Sequence, residues 1–136
     1  MWFAGNHSDI GGSYPESKSQ LSDIALGWML DEAQSVEHSL IVDATRLRIH
    51  PAADGLQHDE IAGMSDTVRR CTPTWLRRLT RPITWKAQPR SPVHNATMHE
   101  SVARRFAMVS VPSQNGDGPY RPEALRDHET FRGLYL

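Results

Sequence analysis

What this chain can fold into is limited most by its opening, Trp2-Phe3-Ala4-Gly5-Asn6-His7-Ser8-Asp9-Ile10-Gly11-Gly12, and by Leu21-Ser22-Asp23-Ile24-Ala25-Leu26-Gly27-Trp28-Met29 a few residues on. Trp2 to Gly5 has the apolar, aromatic character of a short strand tail. Asn6 to Gln20 reads as a loop, punctuated by Gly11, Gly12, Ser13 and Pro15. Leu21, Ile24, Ala25, Trp28, Met29 and Ala33 then recur at three- and four-residue steps, which places them on one helix face. Ser19 or Ser22 is placed to cap that helix, and Asp23 falls in its first turn, where the dipole favours an anion. The result is a histidine set where an apolar strand gives way to a glycine loop and then to a helix.

The chain has 136 residues, enough for one domain at most and a modest core. No apolar run approaches the roughly 18 residues of a membrane span, and the start lacks a basic stretch followed by a long apolar one. A chain with neither a cleaved leader nor a span is expected. Cys71 has no second cysteine to pair with and no zinc-like spacing around it. The net charge of −1 conceals an asymmetry. Up to Asp66 there are eleven acids against Lys18, Arg46 and Arg48, whereas Thr67 to His99 holds seven bases and no acid. Such a split suits a basic surface for an anionic partner, or two parts of one fold that attract each other.

Beyond the opening, Ser39 to Ile49 has apolar positions compatible with a short strand or a helical turn. Prolines at 73, 82, 89 and 92 break the middle into short pieces. Asp66 to Cys71 is expected to finish one helix and Thr74 to Leu79 to form another, with a loop from Trp85 to Asn95. Ser101 to Met108 is a further helix, with Val102, Phe106 and Met108 facing inward. Ser113 to Pro119 is a turn-forming loop. Tyr120 to Leu125 and Phe131 to Leu136 supply late aromatic anchors.

His7 carries the one specific chemical suggestion. The unperturbed pKa of histidine lies near physiological pH, so an imidazole can take a proton from a nucleophilic hydroxyl and return it to a leaving group. Glycines beside it let the backbone turn without Cβ clashes. The same pattern also suits a structural histidine bonded to a neighbouring turn. No Gly-x-Ser-x-Gly elbow, the usual seat of a serine nucleophile, occurs in the chain. Gly63-Met64-Ser65-Asp66-Thr67 keeps only its first half, and Ser65 has no strand before it. His94 and His99 lack the further ligands of a metal pattern, and no metal or other cofactor is expected.

In the basic middle, Trp75, Leu76, Leu79, Ile83 and Trp85 interleave with Arg77, Arg78 and Arg81. Such a stretch can lie on an anionic membrane surface, with tryptophans at headgroup level and arginines on phosphates. The preferred reading makes the apolar residues core anchors and pairs the arginines with the acidic first half. A near-neutral overall balance without a nucleic-acid motif speaks against a nucleic-acid partner.

The opening resembles a family of α/β-hydrolase domains found in bacterial type VI secretion phospholipase effectors. Its members carry Trp-Phe-x-Gly-x-His-Ser-Asp-Val/Ile-Gly-Gly-Gly-Tyr and then Leu-Ser-Asp-Ile-Ala-Leu-x-Trp-Met. The likeness runs through Trp2, Phe3, Gly5, His7 to Gly12 and Tyr14, then Leu21 to Leu26, Trp28 and Met29. His99 to Val102 with Arg105, and Tyr120 to Leu125, are similar to the family's closing segments. Ser13 stands where a third glycine is usual and Asn6 where an apolar residue is usual. A positive φ at position 13 would strain that serine.

The resemblance implies an α/β fold, namely the C-terminal portion of a hydrolase catalytic domain. Residues 1–35 would hold the last strand tail, the histidine loop and the packing helix, and residues 36–136 a mostly helical, Pro-rich appendage. It makes His7 the triad histidine. Asp9 becomes either a loop-structuring residue, taking N–H groups from the turn at Gly11 and Gly12, or the carboxylate that orients His7. The substrate would be a lipid ester, phospholipid above all, cleaved by Ser-His-Asp chemistry. Nucleophile and acid would lie upstream, leaving the chain inactive alone, and Met1 in the place of an aliphatic residue fits a truncated gene or late start. Localisation would be cytoplasmic, or outside the cell by way of a secretion system. The alternative is a non-catalytic interaction or adaptor module that kept this part of the fold.

Overall fold

The computed structural model describes residues 1–77, 85–86, 88–90 and 92–135, without the side chains of Asp66 and Arg77. Five α-helices form among them: α1 (His7–Gly11), α2 (Gln20–Ser35), α3 (Glu60–Cys71), α4 (Thr74–Arg77) and α5 (Glu100–Ala107). Short 3-10 turns lie at Glu16–Lys18, Glu123–Leu125 and Arg132–Leu134.

No strand or sheet forms among the described residues, which overturns the expected α/β architecture. Pairing is confined to three isolated bridges there, Trp2 with Met98, Gln57 with Ser113 and Val111 with Gly118. The supposed strand tail makes only the first. The Trp2 N–H donates to the Thr97 carbonyl at 2.9 Å, and its own carbonyl accepts from the His99 N–H at 2.8 Å. That pairing cannot lengthen, because Gly5 turns the chain at φ +133° and α5 begins at Glu100 on the other side. Around the other bridges, prolines at 112, 119 and 122 withhold the N–H groups a ladder needs.

The expected loop from Asn6 to Gln20 contains α1 instead. The Asn6 side chain accepts from the N–H groups of Ser8 and Asp9 at 2.9 and 2.8 Å, while the Asp9 carboxylate accepts from the Asn6 N–H at 3.1 Å. This reciprocal capping box satisfies the otherwise orphaned donors of the first turn. Gly12 ends the helix at φ +73°. No residue other than glycine has a positive φ among the described residues, so Ser13 is not strained in the place of the third glycine.

In α2 the buried positions are Leu21, Ser22, Asp23 and Ala25. The apolar face predicted from spacing thus holds in the first two turns and fails at Met29, which is 59% exposed. Ser19 makes no side-chain cap there, and the Ser22 hydroxyl donates to its carbonyl at 2.7 Å. Asp23 lies in the first turn as expected, and it is also buried, accepting from the His50 N–H at 2.8 Å. Ser39 to Ile49 is neither strand nor helix, and α3 begins well before Asp66. The far end of the helix expected from Thr74 to Leu79 lies outside the described residues.

The core joins the two ends of the chain. Ala4, Val102, Phe106, Leu125 and Phe131 pack together, with Met98, Tyr120 and Tyr135 against them. Phe106 holds its ring 5.0 Å from Phe131 and 5.5 Å from Tyr135, a spacing at which aromatic pairs add to simple burial. Met108, expected inward, is only half-buried where α5 ends. Beside the Val102–Phe106 stripe runs a polar one, Ser101 and Arg105. Arg105 is fully buried and donates to the carbonyls of Ala53 and Gly55, both at 2.7 Å, and to Pro112 at 3.2 Å. Its charge is thus spent on backbone carbonyls, and burial pulls its pKa below the usual guanidinium value.

Candidate functional site

His7 is the first residue of α1, with its side chain 62% exposed. Its Nδ1 lies 3.1 Å from Glu60 Oε2, and its Nε2 lies 2.6 Å from an Arg90 guanidinium nitrogen. A carboxylate accepts and a guanidinium donates, so these partners favour the tautomer with hydrogen on Nδ1, the Nε2 lone pair accepting from Arg90. A ring held this way takes a proton at Nε2 only once the Arg90 N–H has left it, with the carboxylate on Nδ1 steadying the charge that forms. Glu60 is available because Asp59 caps α3, accepting from the N–H groups of Ile61 and Ala62 at 2.8 and 3.2 Å. The Asn115 side chain, and then those N–H groups, hold the Asp59 carboxyl below the usual range.

The Asp9 carboxylate bonds Asn6 and His58, not His7. It is buried, and its Oδ1 accepts from His58 Nδ1 at 2.7 Å while Oδ2 accepts from the N–H groups of Asn6 and His58 at 3.1 and 3.3 Å. Its N–H partners therefore come from Asn6 and His58, not from the turn at Gly11 and Gly12. Those two glycines are exposed beyond it at the end of α1. The His58 ring stacks on Tyr14 with centroids 3.5 Å apart, and its Nε2 is buried without a partner. Asn6 closes the cluster by donating its side-chain N–H to the His58 carbonyl at 3.1 Å.

Ser65 is exposed on α3. Among the described residues no serine, threonine or cysteine side chain is bonded to His7. His99 caps α5 through Nδ1, His94 donates to the Asp127 carbonyl, and no metal-binding group of three ligands comes together among the described residues. Trp75 is 66% exposed and Trp85 41%, so neither is a core anchor. Arg78, Leu79, Arg81 and Ile83 lie outside the described residues, as does the side chain of Arg77.

Sequence reasoning does not single out Glu60, Arg90 or His58. Their contacts to the opening cross long stretches of chain, and no spacing rule reaches that far. One signal is nonetheless present. Asn6 with an acid three residues on is a helix-start pattern, and Asp59-Glu60 before Ile61 is another.

Fold and site together define a small helical chain that presents a carboxylate-held imidazole, a group suited to proton transfer. Residues 1–32 match the family model for the type VI secretion system phospholipase effector, Tle1-like, catalytic domain. This supports a phospholipase-like effector family for a segment that is less than a quarter of the chain. No curated protein and no solved structure matches. Among the described residues no helix is long and apolar enough to cross a membrane.

Proposed function

We propose that this chain contributes the histidine of an ester-hydrolysing site of the phospholipase-effector kind, with His7 as general base and then general acid. The observation that carries the reading is the exposed His7 ring, with Nδ1 on Glu60 and Nε2 on Arg90, in the segment that matches the effector family. The nucleophile belongs to a part of the protein outside these residues, so the 136-residue chain is inactive alone. Arg90, which donates to Nε2, is suited to a substrate phosphate, because guanidinium bonds to phosphate are stronger than bonds to a neutral ring nitrogen. A lipid substrate would agree with the exposed Trp75 and Trp85, with Arg77, Arg78 and Arg81 as cations for an anionic membrane surface. Delivery by a secretion system would bring the site to its substrate.

The test is fatty-acid release from phospholipid vesicles by the protein isolated from its native source, with whatever polypeptide is joined to it or associated with it. His7→Ala is expected to lower that rate by at least about 1,000-fold, the scale of a lost triad member. Absence of turnover in the native assembly would overturn the proposal in favour of a non-catalytic module. Turnover by the isolated chain that vanishes in His7→Ala would overturn the placement of the nucleophile elsewhere.

A further inference from the structure

The opening segment converges on a residue that neither the family match nor the proposed chemistry uses. His58 is gripped at three points by the two residues that flank His7 in the capping box. Its ring Nδ1 and its N–H both donate to the Asp9 carboxylate, and its carbonyl accepts from the Asn6 side chain. The side chains of His58 and Asp9 are both almost wholly buried. Tyr14, from the same segment, covers the ring face. In low dielectric a bond to a carboxylate is strong and directional, so this clamp fixes backbone position rather than merely filling space.

Directly after His58 the chain places Asp59, the cap of α3, and then Glu60, whose carboxylate sits on His7 Nδ1. The path from Asp9 through His58 and Glu60 to His7 closes a ring. We infer that His58 is a positioning residue for His7: the buried Asp9–His58 pair sets the start of α3 at the distance where Glu60 selects the Nδ1–H tautomer of His7. The inference rests on the reading of His7 as the base, but its test does not need turnover.

The tautomer of His7 is read from the ring nitrogen-15 shifts of the full chain at a pH where the ring is neutral. Wild-type protein is expected to show mainly Nδ1–H. Glu60→Gln and His58→Phe, which keeps the stack on Tyr14 but loses the donor, are each expected to lower the Nδ1–H share by about threefold or more. His58→Asn, whose side-chain amide can replace Nδ1 as donor, is expected to restore most of it. Amide dispersion reports whether each variant folds, and Asp9→Asn serves as a second break of the pair if His58→Phe does not. An unchanged ratio in folded His58→Phe or Asp9→Asn beside a shifted ratio in Glu60→Gln would overturn the inference, as would an unshifted ratio in Glu60→Gln. Failure of the His7 base reading would show instead as undiminished hydrolysis in His7→Ala, with the tautomer results unaffected.

Discussion

His58 Nδ1 lies 2.7 Å from Asp9 Oδ1 although forty-nine positions separate the two residues. The segment before α3 is thereby tied to the capping box of α1 by a buried pair, in a chain that has no sheet to do so among its described residues.

Truncating Asp9 removes the acceptor of three bonds at once and leaves the donors of His58 buried. Asp9→Ala is expected to cost about 3–5 kcal/mol, as when one member of a buried pair is deleted. Urea unfolding followed by circular dichroism checks this. A midpoint within error of wild type would show that the pair does not hold the fold.

Gly5 is required twice over. Its φ of +133° is one that side chains rarely adopt, and an added Cβ would come within 2.6 Å of Asp9 Cβ. Gly5→Ala is therefore expected to destabilise by about 2 kcal/mol or more and to displace Asp9 from His58. Thermal unfolding together with the His58 ring shift measures both effects. A stable variant with an unmoved His58 would count against this geometry.

Arg105 spans carbonyls at Ala53, Gly55 and Pro112 with one planar group. A point-like ammonium cannot reproduce that fork. Arg105→Lys is expected to recover less than half of the stability lost in Arg105→Ala, which should be about 2–4 kcal/mol. Chemical denaturation of the pair of variants gives the comparison, and full recovery by lysine would refute the bridging role.

Burial pushes the Tyr120 phenol up to about 12 from its ordinary 10. The folded chain holds this proton more tightly than the unfolded one. Its contribution is therefore complete below pH 10 and is lost as pH rises through about 12. The loss amounts to about 3 kcal/mol. Tyr120→Phe should flatten the stability profile across that window, and an unchanged alkaline limb would exclude Tyr120 as its source.

The part of this fold legible in the sequence is local. Periodicity at Val102 and Phe106, and at Leu21 and Ala25, marks faces that are buried. It fails at Met29, since spacing cannot say where along a helix the packing partners stop. The strand expected at Trp2 rests on three residues and on resemblance. A strand needs a neighbour of equal length, and Met98 is followed almost at once by α5. The glycines at 11 and 12 suggest a loop, although Asn6 and Asp9 together spell a helix start. In the site His7 is visible through the wording of the opening. Its partners are not, because Glu60 and Arg90 stand 53 and 83 positions away and meet it only after the chain has folded.

The role of His7 is tested most directly by chemical rescue. In the native assembly, His7→Gly should lose phospholipid hydrolysis, and added imidazole should restore a measurable fraction of the rate in proportion to its neutral form, since a small base can enter the space the ring vacates. Hydrolysis undiminished by the substitution would contradict the assignment of His7 as the base.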